Sequence, residues 1–457
     1  MQRVGPGWMV HPDCQGHIGR LNARSEPGWR FHSMGRVCSV LVLLFLAGMA
    51  MAEDWPQWRG LHRDGTSAEV AELPEFPAEG LPVLWRAQVG AGWSTPVVLS
   101  DKVYVFDARL ERPRAWERLT CRDAESGKVL WQVETEVAYP EFCFVAGQEN
   151  GPTSTPVISA ENIYTLGQKG QVCCRNTTTG ALVWQRDFQA DYGMKEFTGN
   201  GSALVEDEFL IITMTGTKGA CVIGLDRRTG LERWRALDEA MSNSSPVMAG
   251  TGDRRQLVVW TQQSVSALDV TTGIVLWSER LLTSSDNAVA TPVSDGELLL
   301  VGGLMFRLGA NIPGAQILWP ESRAVSQRVL SNTSTAWLTG GHVYSARLKG
   351  EFVCLNAATG QEVWKTDKVT ASKQGATVQI IGSSSSRNGE ALLYNDQGEL
   401  ILARLSPAGY EERSRAKVLE PDQPFGGNKV NWSAPALAGG RVFVRNQREL
   451  DCVRVGK

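Results

Sequence analysis

Asp123-Ala-Glu-Ser-Gly127-Lys-Val-Leu-Trp131 is the stretch that decides the fold, because the chain repeats it. It returns as Asn176-Thr-Thr-Thr-Gly180-Ala-Leu-Val-Trp184, and again over residues 226–234, 269–277 and 356–364. Each copy keeps an Asp or Asn eight positions before the Trp and a Gly four before it. The tryptophans in phase with it are Trp85, Trp131, Trp184, Trp234, Trp277, Trp319 and Trp364, spaced 46, 53, 50, 43, 42 and 45 positions apart. A period of roughly 40–50 residues built from short strands is the signature of a radial array of sheets. Within the phrase, the Asp or Asn side chain can cap backbone N–H groups and the Gly can take positive φ, so it reads as a tight turn into an outer strand.

Upstream of the first phrase lie Thr95-Pro-Val-Val-Leu99, Val103-Tyr-Val-Phe106 and Leu119-Thr-Cys-Arg122, separated by turn signals. With Lys128-Val-Leu-Trp-Gln-Val133 they make four antiparallel strands, one blade. The opening dipeptide Thr95-Pro96 recurs at Thr155, Ser202, Ser245, Thr291, Thr335, Thr377 and Ala434, which gives eight openings. The Trp series gives seven, with an eighth, degenerate copy expected at Tyr410-Glu411. The last blade has three strands and no Trp, whereas Trp85 belongs to a strand with no blade before it. The expected fold is therefore all-β: an eight-bladed propeller of four-stranded antiparallel blades over residues 81–457. Residues 82–86 are expected to complete the C-terminal blade, which leaves no long free edge.

The 457 residues carry a net charge of −3, so no global field favours nucleic acid. Arg109, Arg112, Arg114, Arg118 and Arg122, interspersed with Glu111 and Glu117, read as an exposed loop of mixed charge. Val40-Leu-Val-Leu-Leu-Phe-Leu46, after Arg36 and before Ala50-Met-Ala52, reads as a signal peptide over 34–52, cleaved after Ala52. That run is shorter than the roughly 20 residues a membrane span needs. Residues 1–33 read as an upstream extension from a mis-assigned start, and 53–80 as a leader segment. The mature chain would hold 41 basic and 47 acidic residues, a net charge of −6, and is expected to be periplasmic or secreted and monomeric.

The pattern resembles the pyrroloquinoline-quinone (PQQ) repeat family, and Asp54-Trp-Pro-Gln-Trp-Arg-Gly60 resembles the start of its secreted members. The resemblance implies that Trp85, Trp131, Trp184, Trp234, Trp277, Trp319 and Trp364 dock each blade on its neighbour. It also implies two functional classes. One comprises PQQ-dependent dehydrogenases of alcohols or sugars, which hold the quinone and a calcium ion on the propeller axis beside a catalytic Asp. The other, the BamB-like branch, binds protein through its loops without a cofactor.

The residues favour the second class. Cys173-Cys174 matches the vicinal cysteines of the alcohol dehydrogenases, but sits at a third-strand position shared with Cys121 and Cys354, where a small buried hydrophobe is expected. After cleavage only His62 and His342 remain, too few for a zinc cluster. No loop gathers several carboxylates as calcium requires. The expected function is a non-catalytic envelope scaffold that binds a protein or small ligand on its loop face, with no cofactor and no metal. The alternative is a PQQ- and calcium-dependent dehydrogenase. Channel-mouth residues that either function would use are Trp93, Asn200, Asp286, Asn287, Asn332 and Trp432, and the insertions at 138–151 and 187–201 are the candidate partner surface.

Overall fold

The computed structural model describes residues 53–147, 149–194, 201–282, 288–309, 314–321, 330–331, 333–385 and 388–456. The signal-peptide reading and four channel-mouth expectations, Asn200, Asp286, Asn287 and Asn332, lie outside the described residues. Residues 51–457 form one compact unit of eight four-stranded antiparallel sheets. Blade 1 consists of Val97–Leu99, Lys102–Glu111, Arg114–Asp123 and Val129–Val137. Blades 2–7 repeat it over 157–187, 204–236, 247–280, 293–319, 337–366 and 378–417. Blade 8 takes Ala436–Ala438, Arg441–Arg445 and Glu449–Arg454 from the C-terminus and its outer strand, Val83–Gln88, from before blade 1.

Register explains the cysteines. Trp131, Trp184 and Trp364 stand opposite Cys121, Cys174 and Cys354, and Trp85 stands opposite Cys452 in the same relation. A bulge follows each of these pairs. Trp234 faces Gly224, where an added Cβ would stand 2.3 Å from indole Cε2. The indole covers its cross-strand partner, so that partner must be small. All seven cysteines of the described chain are buried and free, Cys173 and Cys174 lying in the regular strand Gln171–Asn176.

The repeated phrase works twice, as a turn and as a receptor for the previous blade. Asn176 Oδ1 accepts the N–H groups of Thr178 and Thr179 at 3.1 and 3.0 Å, which forms the turn. The carbonyl of the next residue, Thr177, accepts the indole N–H of Trp131 from blade 1 at 3.0 Å. The same step links Trp85 to Ala124, Trp184 to Arg227, Trp234 to Val270 and Trp319 to Ala357. Gly180 has φ +71°, and a Cβ there would lie 2.7 Å from Trp131 Cε3. Its missing side chain is the space that the indole fills. Trp277 departs from the pattern and donates to Gln256 of its own blade at 2.6 Å.

Two expectations are corrected. In blade 7 the bulge places Ser414, not Tyr410-Glu411, at the Trp position, opposite Leu402. Blade 7 joins its long strands Glu399–Ser406 and Gly409–Lys417 by a two-residue turn, so an even count stops at the turn. The arginine-rich segment is also not a loop but the long second hairpin of blade 1. Its charges pair across the strands: Arg118 donates twice to Asp107 at 2.8 Å, and Arg109 reaches Glu134 at 2.9 Å. Both strands of this hairpin are largely buried, with Ala115, Trp116, Glu117, Leu119, Thr120 and Cys121 inside and Arg114 exposed at its end.

Candidate functional site

The axis is lined by the opening residues of the blades, and their hydroxyls are used to join one blade to the next. Thr95 N–H donates to Thr155 Oγ1 at 3.1 Å, Thr155 N–H to Ser202 Oγ at 2.9 Å, and Ser202 N–H to Ser245 Oγ at 2.9 Å. Thr291 N–H donates likewise to Thr335 Oγ1 at 3.0 Å. A buried N–H without a partner is costly, which explains why Ser or Thr recurs at this position.

The leader enters this axis from the side of the inner turns. Trp55 exchanges backbone hydrogen bonds with Val98 of blade 1 at 3.0 and 2.8 Å, and Ile158 N–H of blade 2 donates to Pro56 O at 2.8 Å. Trp58 donates its indole N–H to Thr291 Oγ1 of blade 5 at 2.8 Å. The Arg63 guanidinium donates to Ser202 O and Ala203 O of blade 3 and to Pro246 O of blade 4, at 2.6, 2.9 and 2.9 Å. Burial, with the positive charge of Arg59 adding to it, pushes the Arg63 pKa down to about 9. Thr66–Ser67 then adds in parallel to blade 7, and the Glu69 carboxylate accepts the N–H groups of Gly439 and Gly440 of blade 8, both at 2.8 Å.

Further along, Val70, Leu73 and Phe76 join the apolar core that blade 7 shares with blade 8. Phe76 N–H donates to Ser414 Oγ at 2.9 Å, the position where the other blades place Trp. The leader thus supplies apolar packing at the interface whose repeat Trp is missing. Sequence reasoning treated residues 53–80 as an appendage. The signal available was the density of large side chains in Trp55-Pro-Gln-Trp-Arg59, unusual for a solvated leader.

At the opposite mouth, Trp93 and Trp432 come together with ring centroids 6.1 Å apart. Phe425 meets Trp432 edge-on at 5.2 Å, from a two-stranded hairpin, Gln423–Phe425 with Asn428–Val430, that the sequence did not reveal. Both indole N–H groups are buried without a partner, as are the hydroxyls of Thr95, Ser154 and Ser433. Gln423 Nε2 donates to Gly147 O at 3.4 Å and so links the hairpin to the 138–151 insertion. That insertion forms a short 3-10 turn, Glu141–Phe144, with Phe142 and Val145 about half exposed. Its base is held by buried Glu117, which accepts from Tyr139 Oη at 2.9 Å and from Gln168 N–H of blade 2 at 2.7 Å. Burial pushes the Glu117 pKa up to about 7. The second insertion begins with the helix Phe188–Tyr192, capped by Asp187.

Calcium takes six to eight oxygens. Among the described residues no three His, Cys, Asp or Glu side chains converge. The axis that a quinone would need is occupied on the leader side by Trp58 and Arg63. Four of the oxygen-bearing residues expected at the channel mouth, Asn200, Asp286, Asn287 and Asn332, lie outside the described residues. His62 borders a cleft beside the leader, whereas His342 opens the second strand of blade 6 with Nδ1 2.9 Å from Gly340 O, and it does not line that cleft. Among the described residues no helix is long and apolar enough to cross a membrane.

The family model described as outer membrane protein assembly factor BamB matches residues 115–366. The protein of that name from Alteromonas naphthalenivorans is 25% identical over 234 residues, covering 46% of this chain and 54% of the relative, so the match spans about half the relative's length. Among solved structures, BamB from Moraxella catarrhalis superposes with a TM-score of 0.53 at 13% identity, covering 82% of this chain and 99% of that one. The quinohemoprotein alcohol dehydrogenase from Comamonas testosteroni gives 0.57 at 12%, covering 88% and 81%. Both likenesses concern the fold alone, and they do not separate the two functional classes.

Proposed function

The chain belongs to the family described as outer membrane protein assembly factor BamB, and from that premise we propose that it is an exported, cofactor-free propeller of the cell envelope that binds another protein through its loop face. One observation supports the cofactor-free part: the chain's own leader occupies part of the axis on one side, with the Arg63 guanidinium spent on three backbone carbonyls. The protein-binding part is supported by the opposite mouth. There a rigid scaffold presents Trp93, Trp432, Phe425, Phe142 and Val145 on loops, the usual location of recognition. Phe142 and Phe425 are exposed there, and aromatic residues are enriched at interfaces.

Two experiments test the reading. The purified chain is incubated with PQQ and calcium, and dye reduction is followed over a panel of alcohols and sugars. No turnover and no tight quinone binding is expected; turnover moves the protein to the dehydrogenase class. In parallel, the chain and a variant with Phe142, Val145 and Phe425 changed to Ser are used to capture envelope proteins. Capture lost in the variant supports the loop face, and equal capture removes it.

A further inference from the structure

The leader is not the only extended backbone that the axis has room for. In blades 1–6 the innermost strand has three residues, and the middle one stands one step from the hairpin end, as Val98 does opposite Val103, where its backbone groups face away from the hairpin and in blade 1 bond to Trp55. Its N–H and C=O therefore point towards the axis. Leader backbone pairs with these groups in blade 1 through Trp55 and in blade 2 through Pro56. In blade 7, Gly382 N–H donates to Gly65 O at 2.9 Å. The corresponding residues of blades 3–6 are Val205, Met248, Ser294 and Leu338. All four line a cleft of about 980 Å³ between the leader and these blades.

The cleft has the chemistry of a strand receptor. Its lining mixes apolar side chains, among them Val205, Met248, Val293 and Trp337, with polar ones, among them Asp295 and Arg255, which pairs with Glu206 at 2.5 Å. Leu61 of the leader lines it and is 41% exposed. Unpaired inner edges in a cleft of mixed lining suit an extended segment that supplies backbone donors and acceptors and alternates apolar with polar side chains. Small anions are a poorer match, because Arg63 is already saturated and Arg255 is paired.

We propose that this cleft binds an extended peptide segment of a partner protein, which adds to the inner edges of blades 3–6 as the leader adds to blades 1, 2 and 7. This rests on the protein-binding reading but not on the loop face, since the cleft opens on the other side of the ring.

The test uses a fluorescein-labelled decapeptide of alternating Val and Thr with a bromoacetyl N-terminus. The targets are Ser294→Cys in the cleft and Glu420→Cys on the loop face, each rate normalised to that with bromoacetamide. The seven cysteines of the described residues are buried and provide little background. Binding in the cleft raises the local concentration of the reactive group, so S294C is expected to be labelled at least about tenfold faster than E420C. The excess should vanish when alternate peptide nitrogens are methylated, which removes backbone donors and keeps the side chains. Equal normalised rates, or an undiminished rate with the methylated peptide, overturn the proposal. So does a disulfide-linked dimer of S294C formed without peptide, which would assign the cleft to a second copy of the chain. If loop-face capture succeeds while cleft labelling fails, only the cleft assignment falls.

Discussion

Replacing Gly180 with Ala tests whether the repeat turn is a receptor rather than merely a turn. Two costs are expected. An L residue at φ +71° costs about 1–2 kcal/mol, as at any left-handed position. The new Cβ would also stand 2.7 Å from Trp131 Cε3, closer than real contacts allow, so the indole must move. Displacing it breaks the bond from its N–H to Thr177 O, about 1 kcal/mol, and overpacks the blade interface by about 1–2 kcal/mol more. The control is Gly296→Ala, at φ +59° with nothing within 4 Å of the added carbon, which carries only the first cost. Urea unfolding of both variants, with m unchanged, should separate them by about 2–3 kcal/mol. Tm is a weaker readout, because in a folded chain of roughly 400 residues each kcal/mol shifts it by only about 1 °C. Equal destabilisation of the two variants would refute the receptor reading.

Arg63→Met should destabilise the chain by about 2–4 kcal/mol, since it leaves three axial carbonyls without their charged donor, and should expose the leader to trypsin in limited proteolysis. Glu117 predicts a pH effect. Its folded pKa, raised by burial to about 7, exceeds the unfolded value, so its contribution is full below about pH 4.5 and is lost as pH rises to 7. The expected loss is about 3 kcal/mol. Glu117→Gln cannot titrate, so its unfolding midpoint should fall less than that of the wild type between pH 5 and pH 8; identical pH profiles would contradict this.

How much the sequence disclosed depended on whether a contact repeats. Trp131 meets Thr177 through the same phrase that brings Trp184 to Arg227, so five copies announce one geometry. The opening Thr and Ser residues were legible as a series, though not as acceptors for the neighbouring blade's N–H. Blade 7 was misread because its hairpin is longer, which moved the Trp position to Ser414. The arginine cluster was misread because its charges are neutralised across neighbouring strands, by Asp107 and Glu134, a pairing that sequence spacing does not announce. The leader's role was invisible because its contacts occur once each and span long separations, as between Trp58 and Thr291. Trp93 and Trp432 stand out in the sequence as loop tryptophans, but the Phe425 hairpin beside them carries no strong strand signal: Gln423-Pro424-Phe425 and Asn428-Lys429-Val430 are too short.

The most direct test of the account is hydrogen–deuterium exchange across residues 53–67 of the folded chain. Trp55 N–H is bonded to Val98 O, and Gly65 N–H to Arg59 O, which ties the leader down at both ends of this stretch. Protection of these amides matching that of the inner strands is the predicted result. Exchange within seconds, with the inner strands still protected, would show the leader to be undocked and the axis open.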